Sequence, residues 1–243
     1  TLDNVRASPG RHIHSAAQSS LEAWTKYYRP DENTPNATVS YYTKGALVGL
    51  CLDLTLRQEG RTTLDAVLQT LYQRCYAQAP VGMTERDLAD VLQQLGGRSF
   101  AKELRAWVHG TDELPVEPLL QAFGVQIEKT PAPLAQQWGL RVQEGSSIAV
   151  QTVLRGGVAE AAGLAAGDEW LGVEIASACP ATHTAWRVGS LQDVQNCLPP
   201  LPPTPSAKGK RPARAQAPTC IALVARDKRL LRLPMTLPAQ PLM

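Results

Sequence analysis

Tyr41-Tyr42-Thr43-Lys44-Gly45 sets two phenols and an ammonium at the mouth of an otherwise apolar run, Val39 to Leu56. A phenol is a neutral hydrogen-bond donor near pH 7, carried on a rigid arm. Such a donor suits the stabilisation of negative charge that develops on an oxygen in a transition state. The residues alone favour a core tyrosine with its hydroxyl satisfied by backbone. A second polar group of interest lies just upstream in the loop Pro30–Ala37, where Asp31 and Glu32 sit among turn-forming residues. Asp31, Asn33 and Asn36 can all bond locally to backbone.

Helices must position these groups. Leu21, Trp24 and Tyr27/Tyr28 fall at helical spacing between Ser15 and Tyr28, which predicts an amphipathic helix packed on the next one. Pro30 ends it by excluding the α region at Arg29. Thr38 is a suitable N-cap for a long helix over Val39–Leu56. That helix is apolar almost all round, so the expectation is burial on every side. Within it Gly45 and Gly49 would admit another backbone, and Asp53 and Arg57 would pair at i,i+4. Further amphipathic helices are predicted after Thr63, Thr84, Ser99 and Pro115, with a break at Pro80-Val81-Gly82. Short connections make these a bundle.

From Gly124 the period changes. Val125–Glu128 alternates like a strand, Thr130–Pro133 reads as a linker, and Trp138–Val142 and Ile148–Leu154 read as strands. A short helix at Ala159–Ala162 stops at Gly163, and Gly167-Asp168 turns into another strand. Ser190-Leu191-Gln192-Asp193 has the pattern of a capping box opening a helix. Pro199–Pro218, with Lys208, Lys210, Arg211 and Arg214, reads as a disordered insertion before two closing strands, Cys220–Ala225 and Leu230–Leu237.

Six segments together carry a family resemblance: PGR at Pro9–Arg11, YYRPDENTPN at Tyr27–Asn36, SYYTKGAL at Ser40–Leu47, LDLTLR at Leu52–Arg57, GGRS at Gly96–Ser99 and WVHGTDELP at Trp107–Pro115. They resemble the region downstream of the zinc site in glycyl-aminopeptidase-type metallopeptidases, peptidase family sixty-one. The run Gly157–Leu171 also resembles the A-G-L-x-x-G-D-x-[IL]-L segment of PDZ domains, with Trp170 in the [IL] place and Glu174-Ile175 where Asn-Gly is common.

The resemblance implies an α+β chain: an α-helical bundle over 1–130, the C-terminal part of a thermolysin-like peptidase domain, followed by a PDZ domain over 131–243. It implies that Tyr42, in the motif Y-x-K-G, donates to the oxyanion of the tetrahedral intermediate. It gives Asp31, Glu32 and Lys44 as substrate-binding candidates, Lys44 also being suited to pair with a carboxylate of the zinc domain or to stand solvated. In the PDZ reading, Gly139, Leu140, Arg141 and Val142 form the carboxylate-binding loop and first ligand-facing strand, with Leu191 and Val194 on the far wall of the groove. Peptides or protein C-termini would bind there, unless the chain itself fills the groove.

The family's H-E-x-x-H helix and downstream Glu ligand precede this region, and neither motif occurs in the chain. No metal site and no cofactor are therefore expected within it. Zinc is expected in the complete enzyme, and the principal partner is the zinc-binding part of the same polypeptide. The chain alone should be inactive. The alternative is a stand-alone helical-plus-PDZ interaction module without chemistry.

Composition narrows the remaining classes. With 243 residues, a net charge of +2 and 19% charged residues, nothing points to nucleic acid. No apolar run reaches the roughly 18 residues that would span a bilayer. Cys51, Cys75, Cys179, Cys197 and Cys220 lack metal-type spacing, as do His12, His14, His109 and His183. An odd number of thiols, one of them in the apolar helix, favours a reducing, cytoplasmic setting.

Overall fold

The computed structural model describes residues 2–77, 82–175, 184–198 and 219–236. The Pro80-Val81 break, Cys179, His183 and the insertion at 199–218 lie outside them. The fold is α+β, with helices in one region and an antiparallel sheet in the other. It divides into two compact units, Thr1–Pro30 with Thr34–Glu128, and Asp31–Asn33 with Lys129–Met243.

The first unit contains α1 (Leu2–Arg6), a 3₁₀ turn at Pro9–His12, α2 (Ala16–Leu21), a π turn at Ala23–Tyr27, α3 (Thr34–Ala37) and α4 (Tyr41–Gln58). It continues with α5 (Leu64–Tyr72), α6 (Glu85–Gly96), α7 (Ala101–Leu104) and α8 (Val116–Ala122), α5 and α7 each running into a further π turn, Gln73–Ala77 and Arg105–His109. Thr63 and Thr84 cap α5 and α6 through their side chains, as their positions in the sequence predict.

Two apolar clusters meet on α4. Val48, Leu52 and Leu56 join Val67, Leu71, Val91, Leu92, Phe100 and Leu104 on one side. Leu47 and Cys51 join Val5, Val39, Val116 and Leu119 on the other. The helix is nevertheless not enclosed, because Tyr42, Gly45, Ala46 and Leu50 remain exposed. An apolar sequence fixes which residues can be buried, not how many neighbours arrive. Nor do the glycines admit a backbone: a Cβ at Gly45 would meet nothing within 4 Å, and one at Gly49 only the Leu64 side chain.

Several of the family-like segments act as braces in this unit. Gly10 packs so tightly on Thr38 that a Cβ would fall 2.2 Å from the Thr38 carbonyl oxygen. Asp53 accepts from Arg57 Nε at 2.7 Å and from the Leu64 amide at 2.9 Å, tying α4 to α5. Gly97, at φ 75°, closes α6 in the left-handed region that glycine tolerates. Arg98 then bonds Glu59 and Glu103 and lies 4.0 Å over the Phe100 ring.

The second unit begins with α9 (Leu134–Trp138) and continues through β1 (Leu140–Glu144), β2 (Ile148–Val153), α10 (Val158–Ala162), β3 (Glu169–Ile175), β4 (Thr184–Arg187), α11 (Leu191–Cys197), β5 (Thr219–Arg226) and β6 (Arg229–Thr236). The strands lie in the order β1-β2-β3-β5-β6, with β4 also on β3, and every pairing is antiparallel. Trp170 is wholly buried at its centre and donates its indole N–H to the Gly172 carbonyl at 2.8 Å. Asp168, also buried, receives Arg226 through both carboxylate oxygens at 2.6 and 2.8 Å and the Ala165 amide at 2.8 Å. The alternating stretch Val125–Glu128 is not a strand; it pairs with none, and alternation over so short a run has no force without a neighbouring edge.

Candidate active-site surface

Tyr42 stands in the first turn of α4 and is 58% exposed. Ser40 caps the helix by accepting the Thr43 amide at 3.4 Å. Thr38, the N-cap expected from the sequence, is occupied elsewhere. Its hydroxyl lies 3.1 Å from His14 Nδ1 and 3.0 Å from the Ser19 hydroxyl, and His14 Nδ1 reaches Ser19 Oγ at 3.1 Å. All three residues are buried. They fasten the chain entering α4 to α2 and the turn before it. Neither spacing nor composition singles out this trio, because its members meet only across the fold.

Around Tyr42 is a group of aromatic side chains. The Tyr41 ring stacks on it with centroids 4.2 Å apart and planes inclined by 30°. Tyr27 is edge-on to both Tyr28 and Tyr41, at 5.3 and 5.4 Å, and its hydroxyl meets Ser40 Oγ at 3.3 Å. The Tyr28 hydroxyl lies 3.0 Å from that of Tyr42 and 3.1 Å from that of Tyr41. Hydrogen bonding, with Tyr28 first and with Tyr41 second, holds the Tyr42 phenol below the usual tyrosine range. Tyr41 is pushed well above that range, first by its hydrogen bond with Tyr28 and then by that with Tyr42.

A local backbone feature makes this grouping possible. The Tyr28 amide bonds to the Ala23 carbonyl, a five-residue step at 2.9 Å. Successive residues of a regular helix do not face one another's partners, yet the π turn presents Tyr27 and Tyr28 together to α4. Such turns are frequent at functional positions. Leu21 and Trp24, expected from their spacing to pack on the next helix, are instead 84% and 80% exposed.

Lys44 is neither solvated nor beside Tyr42. Two residues along a helix is a rotation of roughly 200°, and Lys44 is buried with its Nζ donating to the Gly110 carbonyl at 3.2 Å. Burial holds its ammonium below the ordinary lysine range, opposed by the nearby carboxylates of Glu113 and Asp112. It braces the first turn of α4 from the inner side. Asp31 accepts the Asn33 amide at 3.0 Å in a local turn, and Asp31 and Glu32 are both exposed.

In the second unit, Gly139 has φ 71° and closes α9, its amide donating to Gln136 at 3.2 Å. That amide is thus already engaged rather than open to a carboxylate. Leu140, Arg141 and Val142 lie on β1 opposite Val153, Thr152 and Val150, with an irregularity between Arg141 and Val142. Leu191 lines an open cavity with Leu134, Ala135, Glu144, Gln192 and Gln195, and its amide donates to Glu144 at 2.8 Å. Val194 is fully buried in the core and does not line that cavity.

Among the described residues no three His, Cys, Asp or Glu side chains converge in a way that would hold a metal ion. None of the described helices is long and apolar enough to cross a membrane.

Comparison with known proteins bears on this surface. Residues 1–48, a segment that ends just beyond the Tyr42 turn, match the family model of the M61 glycyl aminopeptidases. Across 99% of its length the chain is similar to the crystal structure of an aminopeptidase N family protein from Idiomarina loihiensis, with 25% identity and a TM-score of 0.77. It spans 39% of that protein's length. No curated protein matches it.

Proposed function

We propose that this chain is the C-terminal portion of a zinc aminopeptidase that removes residues, glycine among them, from the amino end of peptides. Tyr42 is its catalytic residue, donating a hydrogen bond to the oxygen that becomes negative when the scissile carbonyl is attacked. The observation that carries this reading is an exposed hydroxyl on the first turn of α4, braced by Ser40 and Lys44 and held by two other phenols, within the segment that matches the glycyl aminopeptidases. The zinc ligands belong to polypeptide outside these residues.

For the second unit we propose a PDZ-type module that braces the enzyme rather than receiving peptide ends. The engagement of the Gly139 amide by α9 favours bracing; the cavity beside Leu191 is what a peptide reading would use. Cytoplasmic residence is part of the proposal, supported by the free thiols of Cys51, Cys75, Cys197 and Cys220. The experiment is to compare the purified 243-residue chain with the native polypeptide on glycyl peptides. The chain alone gives no turnover, while the native polypeptide is longer, binds stoichiometric zinc and is active. Turnover by the chain alone, or a native polypeptide no longer than it, contradicts the proposal and favours the interaction-module alternative.

A further inference from the structure

We propose that Tyr28 is a positioning residue that directs the Tyr42 hydroxyl outward through a chain of three phenols, Tyr41 to Tyr28 to Tyr42. This deepens the function proposed above and rests on that reading of Tyr42. The distances make Tyr28 the link and let the chain run in either of two directions. Each phenol has one proton to donate and can accept two hydrogen bonds. Tyr28 lies within hydrogen-bond distance of both neighbours, at 3.1 Å from Tyr41 and 3.0 Å from Tyr42. If Tyr42 donated to Tyr28, its proton would be spent inside the cluster. With Tyr41 donating to Tyr28 and Tyr28 donating to Tyr42, all three hydroxyls are satisfied and the Tyr42 proton is left for a ligand in front of the helix.

The same chain strengthens the outgoing bond. A hydroxyl that accepts a hydrogen bond becomes a better donor, because successive bonds polarise one another. The opposite displacements of the two α4 phenols agree with this order: Tyr42 is stabilised as the ionised member, and Tyr41 is held protonated. Tyr27 does not enter the chain, since its hydroxyl goes to Ser40, and Trp24 contributes only ring contact with Tyr28 at 5.2 Å. No proton leaves the cluster in this arrangement. The chain orients and polarises, and the hydrogen bond to the ligand is made by Tyr42 alone.

The test reads the phenols directly. The 243-residue chain is labelled with ¹³Cζ-tyrosine; its six tyrosines give six resonances, assigned by single Tyr→Phe variants and titrated through the alkaline range. Tyr28→Phe keeps the ring and removes the hydroxyl. It is expected to move the Tyr42 titration upward and that of Tyr41 downward. Tyr41→Phe moves Tyr42 upward by a smaller amount. A Tyr42 titration unmoved by Tyr28→Phe in a folded chain overturns the relay. Should Tyr28→Phe not fold, Tyr42→Phe decides in its place: a Tyr41 titration that stays above the ordinary tyrosine range supports the Tyr41–Tyr28 bond, and one that falls to the ordinary range overturns the relay.

In the complete zinc-bearing polypeptide, Tyr28→Phe lowers kcat by about two- to tenfold, the size of one modest hydrogen bond, with KM unchanged. The alkaline limb of the pH profile moves upward with it. A purely structural role would leave that limb in place. The two readings fail separately. Full activity in a Tyr42→Phe enzyme removes the oxyanion function without touching the titration result, and an unmoved titration removes the relay without touching the role of Tyr42.

Discussion

Lys44 Nζ donates to the carbonyl oxygen of Gly110 at 3.2 Å, joining the first turn of α4 to the end of the π turn that follows α7. Lys44 is 2% exposed. Burial lowers its folded-state pKa below the ordinary lysine value, with Glu113 and Asp112 opposing the effect. In the window between the lowered and the ordinary value, the unfolded chain carries more protons than the folded one. Stability from this group therefore rises with pH through that window and is lowest below it. Replacing Lys44 with Met removes that rise. Denaturant unfolding of wild type and variant at neutral pH and near pH 10 checks it, with the difference between the two shrinking or reversing in the variant's disfavour as pH increases.

Gly10→Ala forces a methyl into the Thr38 backbone. Thr38 is simultaneously bonded to His14 and Ser19, so the backbone has little room to yield. The expected cost is about 1–3 kcal/mol, typical of overpacking a filled interior. Thermal and denaturant unfolding measure it. A variant as stable as wild type would show that this contact is not tight.

Arg226→Met leaves the buried Asp168 carboxylate without its bidentate partner, retaining only the Ala165 amide. Loss of about 3 kcal/mol is expected, because an uncompensated buried charge is costly. Adding Asp168→Asn to the same variant should recover part of the loss, since a neutral amide needs no counter-ion. Failure of the double variant to recover any stability would assign the cost to lost packing of the Arg226 stem.

How far the sequence carried these conclusions depends on whether the deciding contact was local. Capping by Thr63, Thr84 and Ser190 was legible, because a cap involves residues three apart. So was the Asp53–Arg57 pair, one helical turn apart. Thr38 has an equally good capping side chain, but His14 and Ser19 claim it from distant positions, and Ser40 takes over. Lys44 illustrates the same limit: nothing in SYYTKGAL reveals that Gly110 will offer a carbonyl to a buried ammonium. Tyr42 was legible as a motif residue. In the sequence Tyr28 shows only as part of an amphipathic face, because the π turn that brings it to Tyr42 departs from the 3.6-residue period of a regular helix.

The peptide-binding question for the second unit has a direct answer by titration. Peptides with free apolar C-termini, added up to millimolar concentration to the 243-residue chain, should produce no saturable chemical-shift change at Leu140–Val142 or Leu191. The amide of Gly139 is used within α9 and the Leu191 amide by Glu144, so neither is open to a carboxylate. Saturable shifts at these residues would reinstate the groove as a receptor.

The central claim is that the Tyr42 hydroxyl stabilises developing negative charge in the complete enzyme. The most direct measurement is kcat for the Tyr42→Phe variant of the complete zinc-bearing polypeptide on a glycyl peptide, with KM and zinc content determined alongside. The expected fall in kcat is about 10²–10³-fold, the loss typical of one oxyanion donor, with KM and zinc content unchanged. A kcat within about twofold of wild type, too small for the loss of a transition-state hydrogen bond, would contradict it.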